Sequence, residues 1–202
     1  MNAPETAGID KQALLAHAME MAREAARIQL KYFRSGDLDI RTKHGEADIV
    51  TRTDRESEQA ITDAIRRLYP GHGILAEESG DNSGNAEWVW VIDPLDGTTN
   101  YAAGLPLFAV SIGIRHRGET VCGVVYAPYL NEMFTAIAGQ GAQLNGSKIH
   151  ASACDRLDRA VVSTGFPVDK AETSDNNLDN VARVLPRVRG LRRLGAASLD
   201  LC

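Results

Sequence analysis

Between residues 88 and 100 the chain reads Trp88-Val89-Trp90-Val91-Ile92-Asp93-Pro94-Leu95-Asp96-Gly97-Thr98-Thr99-Asn100. Apolar residues followed by carboxylates, proline and glycine are typical of a buried strand that runs directly into a turn. Residues three apart on a regular strand face opposite ways, so Asp93 and Asp96 can converge only where the chain leaves the strand ladder. Pro94 has no N–H to donate to a neighbouring strand, which favours that departure. The segment therefore predicts a strand whose end presents two carboxylates together.

A third carboxylate follows another short apolar strand, in the segment Ala76-Glu77-Glu78-Ser79. Two adjacent strands would deliver Glu77 to the same edge of a sheet as Asp93 and Asp96. Clustered carboxylates repel one another unless a cation lies between them, and a hard ion such as Mg²⁺ prefers oxygen ligands. These three side chains therefore predict a magnesium site.

The residues Gly97-Thr98-Thr99-Asn100 are suited to holding a phosphate. Glycine allows close approach of the backbone, and N–H and hydroxyl donors at the start of a loop or helix bind phosphate oxygens. Taken alone, Asp-Pro-Leu-Asp-Gly would equally suit an ordinary surface turn. The buried strand before it, the polar residues after it and the separate acidic segment favour a site in which a metal and a phosphate share one corner.

The composition excludes several classes of protein. Of the 202 residues, 44% are apolar, 24% charged and 5% aromatic, which is ordinary for a globular protein and unlike a disordered or fibrous one. The net charge of −5 gives no general reason to bind nucleic acid or an anionic membrane surface. No apolar run approaches the roughly 20 residues of a membrane span, and the N-terminus lacks the pattern of a signal peptide. We therefore expect a cytoplasmic protein with no membrane partner.

Residues 1–150 are predicted to form a pair of helices and a meander of strands. Apolar residues at intervals of three and four predict one helix from Asp10 to Phe33. Thr53 and Glu56 stand in capping-box spacing before a second helix that ends at Tyr69. Short aliphatic runs predict strands at Leu38–Thr42, Gly73–Ala76, Trp88–Ile92, Ala109–Arg115, Thr120–Tyr126 and Glu132–Ile137.

Residues 151–202 resemble the start of a second α/β portion, and we expect a single domain over residues 1–202. The predicted elements are a strand at Val161–Thr164, a helix at about Asn177–Val188, a strand at Leu191–Leu194 and a helix from Ala196. Asn145-Gly146 favours a type I′ hairpin, which we prefer to a nucleotide P-loop for the glycine spacing around it.

Longer motifs resemble the inositol monophosphatase family. The most specific match is Glu77-Glu78-Ser79 followed by the segment from Trp90 to Tyr101. Weaker matches are Lys43 with Asp48-Ile49-Val50-Thr51 and Thr53-Asp54, and the segment from Arg192 to Asp200. The resemblance implies a layered α-β-α-β-α sandwich of the sugar-phosphatase type, in the α+β or α/β class. It also implies a homodimer and a Mg²⁺-dependent, lithium-sensitive phosphatase with inositol 1-phosphate as the type substrate.

The same resemblance implies roles for individual residues of this chain. The implied metal ligands are Glu77, Asp93, Asp96 and the main-chain oxygen of Leu95. The implied phosphate and substrate contacts are Leu95, Asp96, Gly97, Thr98, Gly195, Ala196 and Ala197. Thr98, supported by Asp48, would orient or activate the attacking water together with Glu77.

The resemblance further implies a helix, strands and a metal-binding aspartate beyond the position of Cys202. The chain ends inside an amphipathic pattern, at Leu199-Asp200-Leu201-Cys202, with no helix stop signal. We therefore expect a sandwich that lacks its C-terminal part, with weak metal binding and impaired turnover.

Alternatives remain for the substrate and for the class of function. Fructose 1,6-bisphosphate, a 3′-phosphonucleotide or histidinol phosphate could replace inositol 1-phosphate, because the motif holds phosphate and metal while loops read the alcohol. A non-catalytic interaction protein, with transcription machinery or nucleic acid as partner, is the alternative from another class, although the composition does not support it. Its candidate surface is an arginine cluster, which is more often a solvated face: Arg183, Arg187, Arg189, Arg192 and Arg193.

Overall fold

A computed structural model gives the structure of the protein, and it describes residues 10–43, 45 and 48–202. The α-helices are α1 (Lys11–Tyr32), α2 (Arg52–Leu68), α3 (Thr98–Ala102), α4 (Leu178–Val184) and α5 (Ala197–Leu201). The first strands are β1 (Arg41–Thr42), β2 (Ile49–Val50), β3 (Gly73–Ala76), β4 (Gly80–Asn82), β5 (Trp88–Asp96) and β6 (Ala109–His116). The later strands are β7 (Glu119–Ala127), β8 (Glu132–Ile137), β9 (Gly141–Leu144), β10 (Ser147–Ile149), β11 (Val161–Ser163) and β12 (Gly190–Arg192).

An eight-stranded mixed sheet forms the centre of the molecule, with strand order β10-β9-β8-β7-β6-β5-β3-β4. Strands β5 to β10 pair with their neighbours in the chain, so the predicted meander is confirmed. The pairing of β3 with β5 is parallel, and the other pairings in this sheet are antiparallel. Helices α1 and α2 pack on the sheet, and α5 contacts β6 and β7. The expected layered α+β sandwich is confirmed.

The core lies between the helix pair and one face of the sheet. Helix α1 contributes mostly small residues, which let the helix approach the strands closely, and β5 and β6 contribute bulkier ones. The main members are Leu14, Ala18, Met21, Ala25, Ile61, Ile65, Trp90, Ile112 and Ile114. Each large aliphatic side chain buried in this way stabilises the fold by about 1.5–3 kcal/mol.

Helix α2 begins two residues earlier than predicted. The expected capping box of Thr53 and Glu56 is wrong: Thr51 is the N-cap, its side chain accepts from Thr53 N, and Asp54 accepts from Thr51 N. Thr53 and Asp54 are instead buried inside the first turn of the helix. The buried face of α2 includes the polar residues Ser57 and Glu58, and Leu68 near its end is 43% exposed.

Strand β5 departs from its partner β6 at the predicted place. The register shifts between Asp93, which pairs with Ser111, and Asp96, which pairs with Ala109. Such a bulge re-aims side chains without ending the strand, which differs from the predicted strand end at Ile92. Gly97, with φ of 90°, then turns the chain into α3.

Other local predictions hold with changes of length. Asn145 and Gly146 have φ of 50° and 81° between β9 and β10, as a type I′ hairpin requires. Strands β11 and β12 pair in parallel across α4, and this helix is shorter than predicted, because a 3-10 turn with Pro186 follows it.

The loop predicted after Lys43 is described only in part, since residues 44, 46 and 47 lie outside the described residues. Among the described helices, none is both long and apolar enough to cross a membrane.

Gly73 of β3 allows the segment after β4 to approach the sheet. A Cβ at this position would lie 2.6 Å from Ser83 Cα and 2.7 Å from Ser83 O, closer than real contacts allow. We expect Gly73→Ala to lower the free energy of unfolding by about 1–3 kcal/mol, the usual cost of overpacking. Urea denaturation measures this value. Gly113→Ala is the matched control, because no atom lies within 4 Å of its added Cβ; equal losses in the two variants would contradict the account.

Candidate active site

The parallel pairing of β3 with β5 creates the corner where the predicted acidic residues meet. Ala76 lies opposite Ile92, and Glu77 N donates to Ile92 O at 3.1 Å. The next residues, Glu77 and Asp93, therefore lie side by side, Glu77 directly after β3 and Asp93 at the start of the bulge in β5. The prediction that adjacent strands bring these two residues to one edge is confirmed.

Asp93 is the residue of this corner whose acidity is most altered. Burial, with the neighbouring charges of Glu77 and Asp96, raises the pKa of Asp93 to about 8. The neighbouring carboxylates of this corner therefore resist being ionised all at once near neutral pH unless a counter-ion is present. A cation bound here would relieve that repulsion.

Lys43 supplies one positive charge at the rim of the corner. Its Nζ lies 3.0 Å from Glu77 Oε1 and 2.6 Å from Glu78 Oε1. Burial lowers the pKa of Lys43, but its hydrogen bonds to Glu78 and Glu77 outweigh that effect and the pKa is raised. The lysine is thus a permanent cation that orients Glu77.

Helix α2 holds the turn that carries Glu77. Glu58 is only 5% exposed, and its carboxylate accepts from Glu78 N at 2.8 Å and from Ser79 N at 2.9 Å. A buried carboxylate that accepts two backbone N–H groups fixes the path of the chain. The role of Glu58 was not predicted from the sequence. The signal for its burial is its position three residues before Ile61, a spacing that places both residues on the same face of α2.

Thr98 is held by a different carboxylate from the one expected. Its hydroxyl lies 2.8 Å from Asp54 Oδ1 and 2.9 Å from Leu95 O, so its single hydrogen can be donated to either. The expected support from Asp48 is replaced by Asp54, which is fully buried and also accepts from Thr51. The earlier start of α2 places Asp54 in the first turn of the helix, where it faces the Gly97-Thr98 turn. Burial raises the pKa of Asp54, although its hydrogen bonds oppose that shift.

Asp96 points towards the segment that was predicted to line the substrate side. Its carboxylate accepts from Ala197 N at 3.0 Å, from Ser198 N at 2.7 Å and from the Ser198 hydroxyl. No sequence pattern predicts this role for Ser198. Asp96 thereby joins the acidic corner to the start of α5.

Gly97 packs directly against the same segment. A Cβ on Gly97 would lie 3.2 Å from Ala196 Cβ and 3.3 Å from Gly195 O. Asn100 stabilises the contact between the two segments, since its Nδ2 donates to Leu194 O at 2.7 Å and also to Leu107 O at 2.8 Å. The structure thus brings Gly195, Ala196 and Ala197 to the turn that was predicted to hold a phosphate.

Helix α1 contacts both ends of the segment that contains the turn. Gln29 Nε2 donates to Pro94 O at 2.8 Å, and Tyr101 Oη donates to Gln29 O at 2.6 Å. Gln29 is fully buried and lies four residues after Ala25, in line with the apolar face of α1. A polar residue at such a position is the signal that could have revealed it.

The donor set fits a hard cation by its chemistry. Glu77, Asp93, Asp96 and the carbonyl of Leu95 offer only oxygen, which Mg²⁺ prefers. As the side chains stand, however, no three His, Cys, Asp or Glu residues of the described chain are arranged to enclose a metal ion. The physical reason is that Asp96 is turned towards Ala197 and Ser198. Ligation of a metal by these residues stays a prediction.

A mixed sheet that brings the carboxylates of Glu77 and Asp93 together beside a Gly-Thr turn is typical of proteins suited to binding a phosphate group with a cation. Comparison with known proteins identifies the family. The family model described as "Inositol monophosphatase family" matches residues 10–202, and this chain belongs to that family.

Relatives of known name support the assignment. "Nus factor SuhB" of Salmonella typhimurium is 42% identical over 189 residues, which are 93% of this chain and 71% of that protein. The crystal structure of extragenic suppressor protein suhB from Bartonella henselae superposes with a TM-score of 0.87 at 35% identity, over 94% of this chain and 73% of that one. Inositol monophosphatase from Anabaena gives a TM-score of 0.82 at 39% identity, over 94% and 69% of the two chains.

Proposed function

We propose that this protein hydrolyses a phosphate monoester with the help of Mg²⁺, and that inositol 1-phosphate is its preferred substrate. The observation that carries the proposal is the corner itself, where Glu77 and Asp93 adjoin a Gly97-Thr98 turn. One side of the corner attracts a cation, and the other offers the backbone N–H groups at the start of α3 to phosphate oxygens. Membership of the inositol monophosphatase family supports the same chemistry.

In this proposal Glu77, Asp93, Asp96 and the carbonyl of Leu95 hold the metal. The ion would neutralise the charge of the phosphate, which otherwise repels nucleophiles. Gly97 and Thr98 hold the phosphate through the start of α3. Lys43 stays protonated beside Glu77 and adds a second positive charge at the rim.

Thr98 and Asp54 provide the route for a proton. The attacking water gives a proton to Thr98 Oγ1 while the Thr98 hydroxyl gives its own to Asp54 Oδ1, 2.8 Å away. The water oxygen forms a bond to phosphorus as the ester P–O bond breaks, and the leaving alkoxide takes a proton from solvent. Burial makes Asp54 a better proton acceptor than an exposed aspartate, because it raises the pKa of this carboxyl.

The alcohol would be read by the segment Gly195 to Ala197 and by loops around it. This part of the site is less specific than the phosphate-binding corner, since folds of one family accept different substrates through loop changes. Fructose 1,6-bisphosphate, a 3′-phosphonucleotide and histidinol phosphate are therefore the other substrates to test.

Phosphate release tests the reaction. We expect the purified chain to release phosphate from inositol 1-phosphate with Mg²⁺ and to stop when the ion is chelated, while Li⁺ lowers the rate. Asp93→Asn keeps the shape of the side chain but removes its charge, and should lower the rate roughly 100-fold or more. Release that persists in chelator, or that is equal in wild type and Asp93→Asn, would contradict the proposal. The same assay with the three other esters ranks the substrates.

The proton route makes a separate prediction. Thr98→Val removes the hydroxyl and should lower kcat roughly 100-fold, whereas Thr98→Ser retains it and should stay within a few-fold of wild type. Asp54→Asn should resemble Thr98→Val, because groups that act as one unit are not additive. Asp48→Asn is the comparison variant. A larger loss in Asp48→Asn than in Asp54→Asn would refute the assigned route.

We propose partner binding as a second function. Relatives about 42% identical to this chain carry the name Nus factor SuhB, which favours a partner in the transcription machinery. Such binding should persist in Asp93→Asn, because it needs a surface and not the acidic corner. Loss of partner binding in Asp93→Asn, with the fold retained, would count against an independent second function.

A further inference from the structure

The turn that carries Glu77 is a three-residue loop between β3 and β4. Ala76 pairs with Gly80, so only Glu77, Glu78 and Ser79 lie between the two strands. Strand β4 is the last strand of the described sheet, and sheet pairing therefore supports the loop from the β5 side alone. A loop at the edge of a sheet opens more easily than residues that are paired on both sides. This loop needs a further contact if it is to hold a functional side chain still.

Glu58 of α2 accepts the loop N–H groups that the sheet does not use. Glu77 N extends the pairing of β3 with β5, since it donates to Ile92 O at 3.1 Å. The next two N–H groups face the helix instead: Glu78 N donates to Glu58 Oε2 at 2.8 Å, and Ser79 N donates to Glu58 Oε1 at 2.9 Å. One carboxylate, with one oxygen for each N–H, thus takes the place of a neighbouring strand.

The charge of Glu58 does not serve an ion pair. In the part of the chain that the structure describes, no basic side chain forms a salt bridge with Glu58, and Lys43 pairs with Glu77 and Glu78 instead. Glu58 is nevertheless buried, with 5% of its surface exposed. Burial of a carboxylate is unfavourable unless hydrogen bonds compensate it, and the bonds that do so here come from the backbone of the loop.

The side chain of Glu77 depends on this backbone support. It is 44% exposed, and Lys43 Nζ contacts its Oε1 at 3.0 Å. Packing therefore fixes the direction of the Glu77 carboxylate less than the path of the loop does. Groups that bind a metal must be held within about 0.5 Å of their productive geometry. A small shift of the loop would therefore move Glu77 away from a cation beside Asp93.

We propose that Glu58 is a positioning residue that sets the affinity of the acidic corner for a divalent cation. It acts through the loop that carries Glu77, and it does not contact the cation itself. Partners that orient metal ligands in this way commonly contribute 10- to 100-fold to metal affinity. The inference rests on the proposed phosphatase function, to which it adds a residue outside the acidic corner.

Two substitutions separate the position of the loop from the charge of the carboxylate. Glu58→Gln keeps the length of the side chain but offers one oxygen in place of two, and turns its amide donors towards an N–H group. Glu58→Asp keeps the charge but is one methylene shorter and cannot reach both N–H groups. We expect the Kd for Mn²⁺, measured by calorimetry, to rise roughly 10-fold or more in each variant.

Amide hydrogen exchange of the metal-free protein gives a second readout. The N–H groups of Glu78 and Ser79 should exchange faster in both variants, because they lose an acceptor. Glu56→Gln is the matched control: it removes the same charge from the exposed face of α2, where Glu56 is 43% exposed, and should change neither measurement. Ser57→Ala removes a buried hydroxyl that contacts Ala25 O and should lower the Tm while the Kd for Mn²⁺ stays the same.

Two results would overturn the inference. Unchanged Mn²⁺ affinity in both folded variants would leave Glu58 with a structural role alone, and weaker binding in Glu58→Gln but not in Glu58→Asp would show an effect of charge and not of position. If Glu58→Gln does not fold, the Kd of Glu58→Asp decides. A wild type that binds no Mn²⁺ would refute the metal site of the proposed function and this inference with it. Equal binding by wild type and variants would refute this inference only.

Discussion

The parallel pairing of β3 with β5 is the constraint on which the rest of the site depends. Because Ala76 lies opposite Ile92, the carboxylates of Glu77 and Asp93 must follow side by side. The bulge between Asp93 and Asp96 then brings the Leu95 carbonyl and the Gly97 turn to the same corner. Shifting either strand by one residue would send these groups to opposite faces of the sheet.

Helices α1 and α2 hold this corner in an arrangement in which its carboxylates repel one another. Glu58 and Asp54 of α2 are buried carboxylates that hold the Glu77 turn and Thr98, and Gln29 of α1 holds Pro94. Burial of the corner by the same helices raises the pKa of Asp93, together with the charges of Glu77 and Asp96. The packing that orders the site therefore also concentrates the negative charge that we propose a cation neutralises.

The sequence predicted the features that local patterns encode. Helix α1, the meander, the Asn145-Gly146 hairpin and the meeting of Glu77 with Asp93 follow from periodicity, turn residues and strand ends. The expected partner of Thr98, Asp48, was implied by the resemblance and by no local pattern; the structure has Asp54 there, because α2 begins at Arg52 and places Asp54 in its first turn. The place of Gln29 on the apolar face of α1 indicates a buried polar residue, but its partner Pro94, like the partner Asp96 of Ser198, lies more than 60 positions away, so no local pattern could identify either partner.

The central claim is that the corner at Glu77 and Asp93 binds a divalent cation. The most direct measurement is anomalous diffraction from crystals of the protein soaked in Mn²⁺, a scattering substitute for Mg²⁺. We expect a peak at roughly 2.0–2.3 Å from carboxylate oxygens of Glu77 and Asp93 and close to Leu95 O, with Asp96 turned towards it. A fully soaked crystal with no peak at this corner, or with its strongest peak elsewhere, would show that the corner is not a cation site.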